Sequence, residues 1–165
     1  MLILLIGPKG SGKSHAGRIL EASRGVHFFH VEPLWMAYYA ECRGANRQPT
    51  IAEGIETVRP HIVGALARHR NVCIETTGAS PEILDELRSL GSAGGTLLVR
   101  VHAPFETCLE RIASRDPRQQ ILLDDDAIRE VHRRFEGVNL PFDLALENTD
   151  LTYEEIVQAF RDIPQ

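Results

Sequence analysis

Cysteines, basic runs and long apolar stretches are scarce in this sequence, and each scarcity excludes a class of protein. The chain has 3 cysteines among 165 residues, widely spaced and without a CxxC pair, so neither a disulfide framework nor a zinc site is indicated. No long basic run occurs and the formal net charge is −5, which argues against a general nucleic-acid-binding surface. No apolar stretch is long enough to span a membrane, so we expect no membrane partner.

The same scarcities bear on the compartment and the size of the protein. Unpaired cysteines are typical of a reducing compartment, and Met1 begins directly on an apolar run, which leaves no room for a signal peptide. We therefore expect a cytoplasmic protein. A length of 165 residues with 43% hydrophobic and 25% charged residues predicts a single globular domain over residues 1–165, either a monomer or a homodimer.

The amino-terminal stretch MLILLIGPKGSGKS carries the strongest motif of the chain. Residues 2–6 are all apolar and predict a strand buried on both faces, as in a parallel sheet. Residues 7–14 match G-x-x-x-x-G-K-[ST] at every fixed position, and a helical pattern follows. A strand, a glycine-rich loop and a helix in this order are the context in which the motif binds phosphate. A glycine-rich turn that binds nothing is the alternative.

The residue types in this loop suit a polyphosphate. Glycines let backbone N–H groups approach phosphate oxygens, and a helix N-terminus completes the anion site. Lys13 can reach the β- and γ-phosphates as a catalytic residue, and the Ser14 hydroxyl can ligate Mg²⁺. The motif thus predicts that ATP and Mg²⁺ are bound by the residues of the loop, which are Gly7, Pro8, Lys9, Gly10, Ser11, Gly12, Lys13 and Ser14.

Strand and helix patterns alternate along the rest of the chain. The predicted strands are residues 26–31, 71–78, 96–101 and 142–147, and the predicted helices are 13–23, 34–40, 50–68, 81–90, 104–115, 124–136 and one from 152 onward. Pro60 is expected to kink or restart its helix, and residues 91–95 are expected to form a turn. This alternation predicts an α/β protein with a parallel sheet and right-handed crossovers.

With this motif and this order of elements, the chain resembles the P-loop kinases of small molecules and nucleotides, which include shikimate, gluconate and adenylate kinases. The resemblance covers most of the 165 residues. It implies a three-layer α/β/α fold whose five parallel strands follow the order 2-3-1-4-5, with ligands at the carboxyl ends of the strands. It also implies a substrate-binding insertion at residues 32–70 and a small lid at residues 111–126.

Two arginines lie four residues apart in the predicted helix 104–115. This spacing would place both guanidinium groups on one helix face, where they could stabilise the charge of a transferring phosphoryl group. Nucleotide kinases carry an R-x-x-x-R pair where the lid begins, so the resemblance implies that Arg111 stacks on adenine and that Arg115 is a catalytic phosphate contact. Arg118 is a further candidate. Two solvated surface arginines are the alternative.

Polar residues at the ends of two strands are candidates for the metal site and the catalytic base. Glu75 ends the third strand, where P-loop enzymes need a carboxylate for Mg²⁺. Relatives have Asp-Gly where this chain has Glu-Thr-Thr-Gly, which favours a water-mediated contact. Glu32 ends the second strand, where small-molecule kinases often have an Asp that binds or deprotonates the acceptor hydroxyl. His30 projects to the same face and is the rival base; for each residue, a polar group without a catalytic role is the alternative.

Aromatic and arginine side chains are concentrated after the second strand. They are Trp35, Tyr38, Tyr39, Arg43 and Arg47. Such residues suit an acceptor pocket, because aromatic rings stack on flat ligands and guanidinium groups pair with carboxylates or phosphates; a core-facing aromatic stripe with exposed arginines is the alternative. Thr76, Thr77 and Gly78 are also expected to face the acceptor, and relatives contact adenine through backbone atoms at the position of Asn148 and Thr149.

Together these features predict a kinase that moves the γ-phosphoryl group of ATP·Mg²⁺ to a hydroxyl or a phosphate of a small-molecule acceptor. A polynucleotide 5′-hydroxyl kinase is a second enzymatic reading, which the acidic charge balance disfavours. A regulatory module that binds ATP without phosphorylating anything belongs to a different class, and the lid arginines and the second-strand acid favour the kinase over it. The sequence contains no motif specific for one acceptor.

Overall fold

The computed structural model describes residues 1–91 and 94–163, and a five-stranded parallel sheet forms its centre. The strands are β1 (Leu2–Ile6), β2 (His27–Phe29), β3 (Val72–Thr76), β4 (Thr96–His102) and β5 (Leu144–Glu147). They follow the order β2-β3-β1-β4-β5, which confirms the predicted order.

Strand β1 is the middle of the five strands and pairs with β3 on one edge and with β4 on the other. Leu4 lies opposite Ile74 on β3 and opposite Leu98 on β4. Every side chain of β1 is fully buried, as expected where side chains that alternate between two sheet faces meet an apolar layer on each. The apolar run before the glycine-rich loop is therefore the central strand, and it delivers that loop to the carboxyl edge of the sheet.

Helices cover both faces of the sheet in the described residues. They are α1 (Lys13–Arg24), α2 (Glu32–Gly44), α3 (Ile51–Arg68), α4 (Pro81–Leu90), α5 (Phe105–Ala113), a 3₁₀ helix (Pro117–Gln119), α6 (Asp125–Glu136) and α7 (Tyr153–Ala159). One apolar cluster joins α1 and α7 to the sheet through residues such as Ile19 and Ile156. A second cluster joins α3, α4 and α6 through Val58, Leu84 and Phe135. The result is the predicted three-layer α/β/α architecture.

The start of α2 corrects two expectations. Strand β2 stops at Phe29, and Glu32 begins α2 instead of ending a strand. Pro33 occupies the first turn of the helix, where its fixed φ fits and its missing N–H leaves no bond unmade. The carbonyl of Val31 already accepts a hydrogen bond from the N–H of Leu34 at 3.0 Å. The helix therefore begins two residues before the predicted start at residue 34, with proline in its first turn.

Helix α5 is shorter than predicted. It ends at Ala113, and Arg115 lies beyond it, with its N–H bonded to the carbonyl of Ile112 at 3.2 Å in a tighter turn. Pro117 follows, and the residue before a proline is disfavoured in a helical conformation. The expectation that Arg111 and Arg115 share one face of a single helix is therefore wrong.

Helix α3 runs continuously through Pro60, so the restart considered for this position does not occur. Thr50 caps the helix by accepting a hydrogen bond from the N–H of Glu53 at 3.3 Å. The Glu53 carboxylate does not reciprocate, because it accepts hydrogen bonds from the Tyr38 hydroxyl and from Arg47. This contact ties the beginning of α3 to α2.

The remaining boundaries differ little from those predicted. Strand β5 begins at Leu144, slightly later than expected, and Thr152 and Glu155 form a reciprocal capping box at the start of α7. Within the predicted turn at residues 91–95, residues 92–93 lie outside the described part of the chain. Among the described residues, no helix combines the length and the apolar character needed to cross a membrane.

Candidate active site

The loop between β1 and α1, residues 7–14, is the phosphate loop of the candidate site. Gly12 has a φ of 94°, in a region that side-chain-bearing residues rarely adopt. A Cβ atom on Gly12 would lie 2.0 Å from Nδ2 of Asn148, and one on Gly10 would lie 2.4 Å from the carbonyl oxygen of Cys108. These two glycines are therefore required by close neighbours as well as by backbone conformation.

Two side chains from outside the loop hold it in shape. The Asn148 amide donates to the carbonyl of Ser11 at 2.8 Å. The Arg111 guanidinium donates to the carbonyls of Asn148 at 2.9 Å and Thr149 at 2.7 Å, and it reaches the carbonyl of Gly10 at 3.5 Å. Arg111 thus lies between the phosphate loop and the end of β5, with its N–H groups engaged by backbone carbonyls.

Lys13, the first residue of α1, is a buried cation of the loop. Its Nζ donates to the carbonyl of Pro8 at 2.7 Å, which places the ammonium group over the loop. Burial lowers the pKa of Lys13 to about 8, because the attraction of Glu75 offsets only part of the desolvation and Arg115 adds repulsion. An anion that enters such poorly solvated surroundings is attracted more strongly than it would be at the surface.

Ser14 and Glu75 bring together the two oxygen donors predicted for a metal ion. The Ser14 hydroxyl donates to Oε2 of Glu75 at 2.8 Å and lies 3.1 Å from Oε1. Glu75 is only 8% exposed, because it lies on β3 beside the end of β1. Burial opposes its ionisation, but His30, Lys13 and Ser14 outweigh that effect and lower the pKa of Glu75.

His30 lies between two carboxylates. Its Nε2 is 3.8 Å from Oε2 of Glu32 and 3.1 Å from Oε1 of Glu75. Contacts with Glu32 and Glu75 raise the pKa of His30 to about 9, against the opposing effect of burial. His30 is therefore protonated at neutral pH, which argues against it as the rival base.

The Glu32 carboxylate is held beside the phosphate loop by several donors. The N–H of Ile121 donates to Oε1 at 2.9 Å, and Nζ of Lys9 lies 3.5 Å from the same oxygen. Burial would raise the pKa of Glu32, but His30, the Ile121 N–H and Lys9 lower it to about 2. Lys9 also donates to the carbonyl of Ile121 at 2.7 Å. The phosphate loop and Glu32 therefore both contact the segment predicted to form the lid.

Arg115 is the arginine of the predicted lid that enters the site. It lines the cavity beside the phosphate loop, and its charge adds to the effect of burial in lowering the pKa of both Lys9 and Lys13. Arg118 points into solvent, with 89% of its side chain exposed and an ion pair to Asp116 at 2.8 Å. The structure therefore brings Arg115, and not Arg118, to the phosphate end.

A cavity of about 300 Å³ begins at the phosphate loop and extends between α2, α3 and α4. Its polar end is formed by Lys13, Ser14, Glu32, Glu75 and Arg115. A cavity of this size suits a small molecule. The arrangement therefore joins a phosphate-binding end to a compartment in which a second substrate can be held.

The predicted acceptor residues are divided by this cavity. Trp35, Tyr39, Thr76 and Thr77 line it. Arg43 and Gly78 are not among the described residues that line the cavity, so the cavity does not support the prediction that they bind the acceptor.

The physical reasons are local in both cases. Arg43 lies on the exposed side of α2. Gly78 has a φ of 71° and is packed so closely that a Cβ atom there would lie 2.7 Å from the Ile6 side chain. Arg47 is likewise turned away from the cavity, because it pairs with Glu41 at 3.3 Å and also with Glu53.

A family model described as AAA domain matches residues 2–138, which include the phosphate loop, Glu32, Glu75 and Arg115. The chain belongs to the AAA domain family. Its phosphate loop is therefore that of a nucleotide-binding P-loop domain, as the sequence motif predicted. No curated protein matches this AAA domain in sequence.

Solved kinases share the fold of this AAA domain at low sequence identity. The shikimate kinase from Aquifex aeolicus vf5 is 23% identical, with a TM-score of 0.61 over 98% of this chain and 94% of that one. A gluconokinase from Sinorhizobium meliloti 1021 is 20% identical, with a TM-score of 0.62 over 95% and 87%. A putative kinase from Chloroflexus aurantiacus j-10-fl is 17% identical, with a TM-score of 0.66 over 99% and 98%. The fold predicted from the resemblance to P-loop kinases is thus confirmed.

Two features of the site in this AAA domain were missed by the sequence-based reasoning. Asn148 was assigned only an adenine contact through its backbone, yet its side chain braces the phosphate loop; its position directly after β5 was the available indication. The apolar wall that α3 and α4 supply, including Ile55 and Leu87, was not singled out, because an amphipathic helix presents the same pattern to a core and to a cavity.

Proposed function

We propose that this AAA domain is an ATP-dependent kinase that transfers the γ-phosphoryl group of ATP to a small-molecule acceptor. The observation that carries the proposal is one cavity that runs from the phosphate loop, past the ionised Glu32, into a compartment for a second substrate. A regulatory module that only binds ATP has no need of that compartment. The kinase fold of the structural neighbours supports the same conclusion.

In this proposal, each cation of the site has a different role. Backbone N–H groups of residues 7–14 hold the triphosphate, and Lys13 neutralises its β- and γ-phosphates. Arg115 contacts the transferred phosphoryl group, whose charge spreads over its oxygens in the transition state. Arg111 fixes the wall of the adenine end through its bonds to Asn148 and Thr149, and its planar face is the candidate surface for stacking.

Ser14 and Glu75 fit a magnesium ion, because both supply the hard oxygen donors that Mg²⁺ prefers. The Ser14 proton is directed at Glu75, which leaves the lone pairs of the hydroxyl oxygen free for a cation. Bound Mg²⁺ would supply neutralisation of charge on the β- and γ-phosphate oxygens. Ser14 is the proposed direct ligand, and Glu75 holds the ion directly or through water.

Glu32 is the proposed contact for the acceptor hydroxyl. As an ionised carboxylate beside the phosphate loop, it can accept a hydrogen bond from that hydroxyl and aim its oxygen at the γ-phosphorus. Its pKa of about 2 makes it a weak base, so orientation is its main contribution and the proton leaves as the new P–O bond forms. Glu32→Gln should therefore lower turnover with the acceptor while ATP affinity is retained.

Two segments complete the proposed enzyme. Residues 32–70, with α2 and α3, form the acceptor insertion, and residues 111–126 form a lid that carries Arg115 and Ile121. Ile121 already contacts Lys9 and Glu32, so the position of the lid is coupled to that of the phosphate loop. Closure over the phosphates would exclude water and so prevent futile hydrolysis.

Two measurements together test the function. Calorimetric titration with ATP and Mg²⁺ should give binding that Lys13→Ala abolishes, and ADP formation should rise when one member of an acceptor panel is added. The panel contains nucleosides, nucleotides, sugars, hydroxy acids and neutral alcohols. ATP binding without stimulation by any acceptor would favour the regulatory module, and absence of ATP binding would contradict both readings.

A further inference from the structure

The two ends of the cavity differ in chemistry. The phosphate end is charged, as described above. The compartment between α2, α3 and α4 is lined mainly by apolar side chains, which include Trp35, Ile55, Val58, Ile83 and Leu87. A ligand that fills this compartment gains most by burying apolar surface, at roughly 25 cal/mol for each Å² removed from water.

The two charged side chains that α3 and α4 contribute to this compartment contact each other, although Oε1 of Glu86 is buried without a hydrogen-bond partner among the described residues. In the described part of the chain, the charged lining residues contributed by α3 and α4 are Arg59 and Glu86. Their side chains form an ion pair at 2.9 Å, and Arg59 lies 3.6 Å from Glu56 as well. The guanidinium group therefore has two carboxylate neighbours and offers no unpaired charge to an anionic acceptor.

The aromatic part of the wall is fixed in place. Trp35 packs against the backbone of α3 so closely that a Cβ atom on Gly54 would lie 2.0 Å from its ring. The Tyr39 ring lies 5.9 Å from the Trp35 ring at an interplanar angle of 36°. These two rings give the compartment an aromatic wall, which suits an apolar ligand that contains a ring.

We propose that the acceptor of this enzyme is an uncharged alcohol with an apolar body about the size of an aromatic ring system, and not a carboxylic acid, a sugar or a nucleotide. The inference rests on the proposed phosphotransfer. An unpaired carboxylate or phosphate would lose its hydration in the compartment without gaining a partner, and the hydroxyls of a sugar would meet few polar groups.

The reaction balances with these groups alone. The acceptor oxygen forms a bond to the γ-phosphorus of ATP while the bond from that phosphorus to the β–γ bridging oxygen breaks. The products are ADP and a phosphate monoester, and the hydroxyl proton passes by way of Glu32 to solvent. The apolar body stays between α2, α3 and α4 throughout, so its fit selects the substrate without taking part in the chemistry.

A matched pair of alcohols tests the class of acceptor. Para-isobutylbenzyl alcohol and para-(hydroxymethyl)phenylacetate have nearly the same shape, but only the second carries a carboxylate. We expect ADP formation with kcat/KM at least about tenfold higher for the neutral alcohol than for the acid, and higher than for gluconate, shikimate, adenosine or AMP. Preference for the acid, a sugar or a nucleotide would overturn the inference and leave the proposed kinase function intact.

A binding measurement keeps the inference testable even if no acceptor is turned over. Trp35 is the only tryptophan of the chain and lines the compartment, so its emission should change as para-isobutylbenzyl alcohol is titrated in. Ile55→Asn should weaken this binding about tenfold. Val63→Asn is the matched control on the same helix, because Val63 is 47% exposed and lies outside the described cavity wall.

The two conclusions fail in different ways. If ATP binds but nothing is phosphorylated, the kinase function is wrong, and the Trp35 titration alone decides whether the compartment takes a neutral apolar ligand. No change in Trp35 emission, or equal binding by the Ile55→Asn and Val63→Asn variants, would overturn the apolar-acceptor inference. Circular dichroism melting curves would establish that both variants are folded.

Discussion

Neighbouring groups determine the charge states of the individual side chains in this site. Lys13 is buried against the phosphate loop, and Glu32 and Glu75 are kept ionised by His30 and by hydrogen-bond donors. His30, with a pKa of about 9, links the two carboxylates and limits the repulsion between them. In the proposed function, the site therefore presents cations to phosphate oxygens and carboxylates to the metal and the hydroxyl, without a proton rearrangement at neutral pH.

At this scale, Arg115→Ala should lower the turnover of the proposed reaction by about 10²–10³-fold, because a charge aimed at the transferring phosphoryl group is lost. Steady-state ADP formation measures the effect. Arg118→Ala is the matched control and should leave turnover unchanged, since Arg118 is 89% exposed and paired with Asp116. Equal rates for the wild type and the Arg115→Ala variant would show that Arg115 has no role in the reaction.

Glu75→Gln should raise the Mg²⁺ concentration needed for half-maximal activity about tenfold, because the amide keeps the shape of the carboxylate but loses its charge. A magnesium titration of ADP formation measures the shift. Glu154→Gln, at an exposed position on α7, is the charge-matched control and should not alter the titration. An unchanged magnesium requirement in the Glu75→Gln variant would contradict the metal role.

At the scale of elements, the site depends on where helices and loops begin. Because α2 starts at Glu32, the carboxylate lies in its first turn, from which it reaches Lys9 and the N–H of Ile121. Because α5 ends at Ala113, Arg115 is released from the helix and enters the cavity. The phosphate loop in turn keeps its shape only if β5 and α5 hold it through Asn148 and Arg111.

Two glycine-to-alanine substitutions distinguish the effect of the loop's conformation on ATP binding from the effect of backbone strain on stability. Gly12→Ala should weaken ATP binding by at least about tenfold and destabilise the fold by about 1–3 kcal/mol, since φ is positive there and Asn148 obstructs the new methyl group. Gly25 also has a positive φ, of 64°, but a Cβ atom added there would have no neighbour within 4 Å. Gly25→Ala should cost about 1 kcal/mol of stability and leave ATP binding intact. Equal ATP affinity in both variants would show that the loop tolerates a side chain at position 12.

At the scale of the whole molecule, α5 and α6 pack together beside the phosphate loop. The His132 ring on α6 meets the Phe105 ring on α5 edge to face, with centroids 4.8 Å apart. Burial lowers the pKa of His132, although the Lys9 backbone and Glu136 offset part of the effect. The folded protein therefore favours the neutral form of His132.

This packing predicts a loss of stability in weak acid. The unfolded chain takes up a proton at His132 at about pH 6.5, above the lowered folded pKa, so this contribution is complete above that pH and is lost as the pH falls further. His132→Gln should reduce the difference in unfolding free energy between about pH 7.5 and 5.5, measured by urea denaturation. His61→Gln, at an exposed histidine on α3, is the control. The same pH dependence in wild type and His132→Gln would contradict the assignment.

Much of this protein could be predicted from its amino-acid sequence. The phosphate loop, the central strand, the helical positions and the α/β alternation follow from local patterns, because glycine spacing, apolar runs and capping residues act within a few neighbours. The strand order came from the resemblance to P-loop kinases. The position of Lys13 and Ser14 at the head of α1 was likewise fully specified by the motif.

Tertiary packing decided the rest. Whether Arg115 or Arg118 reaches the phosphate end depends on where α5 stops, and whether the apolar side chains of α3 and α4 also border a cavity depends on how these helices pack. Arg43 and Gly78 are residue types that suit an acceptor site, but Arg43 is exposed to solvent and Gly78 is packed closely against Ile6. Distances between segments remote in the chain set these outcomes, and such distances are properties of the packed sheet and helices that no local pattern in the sequence records.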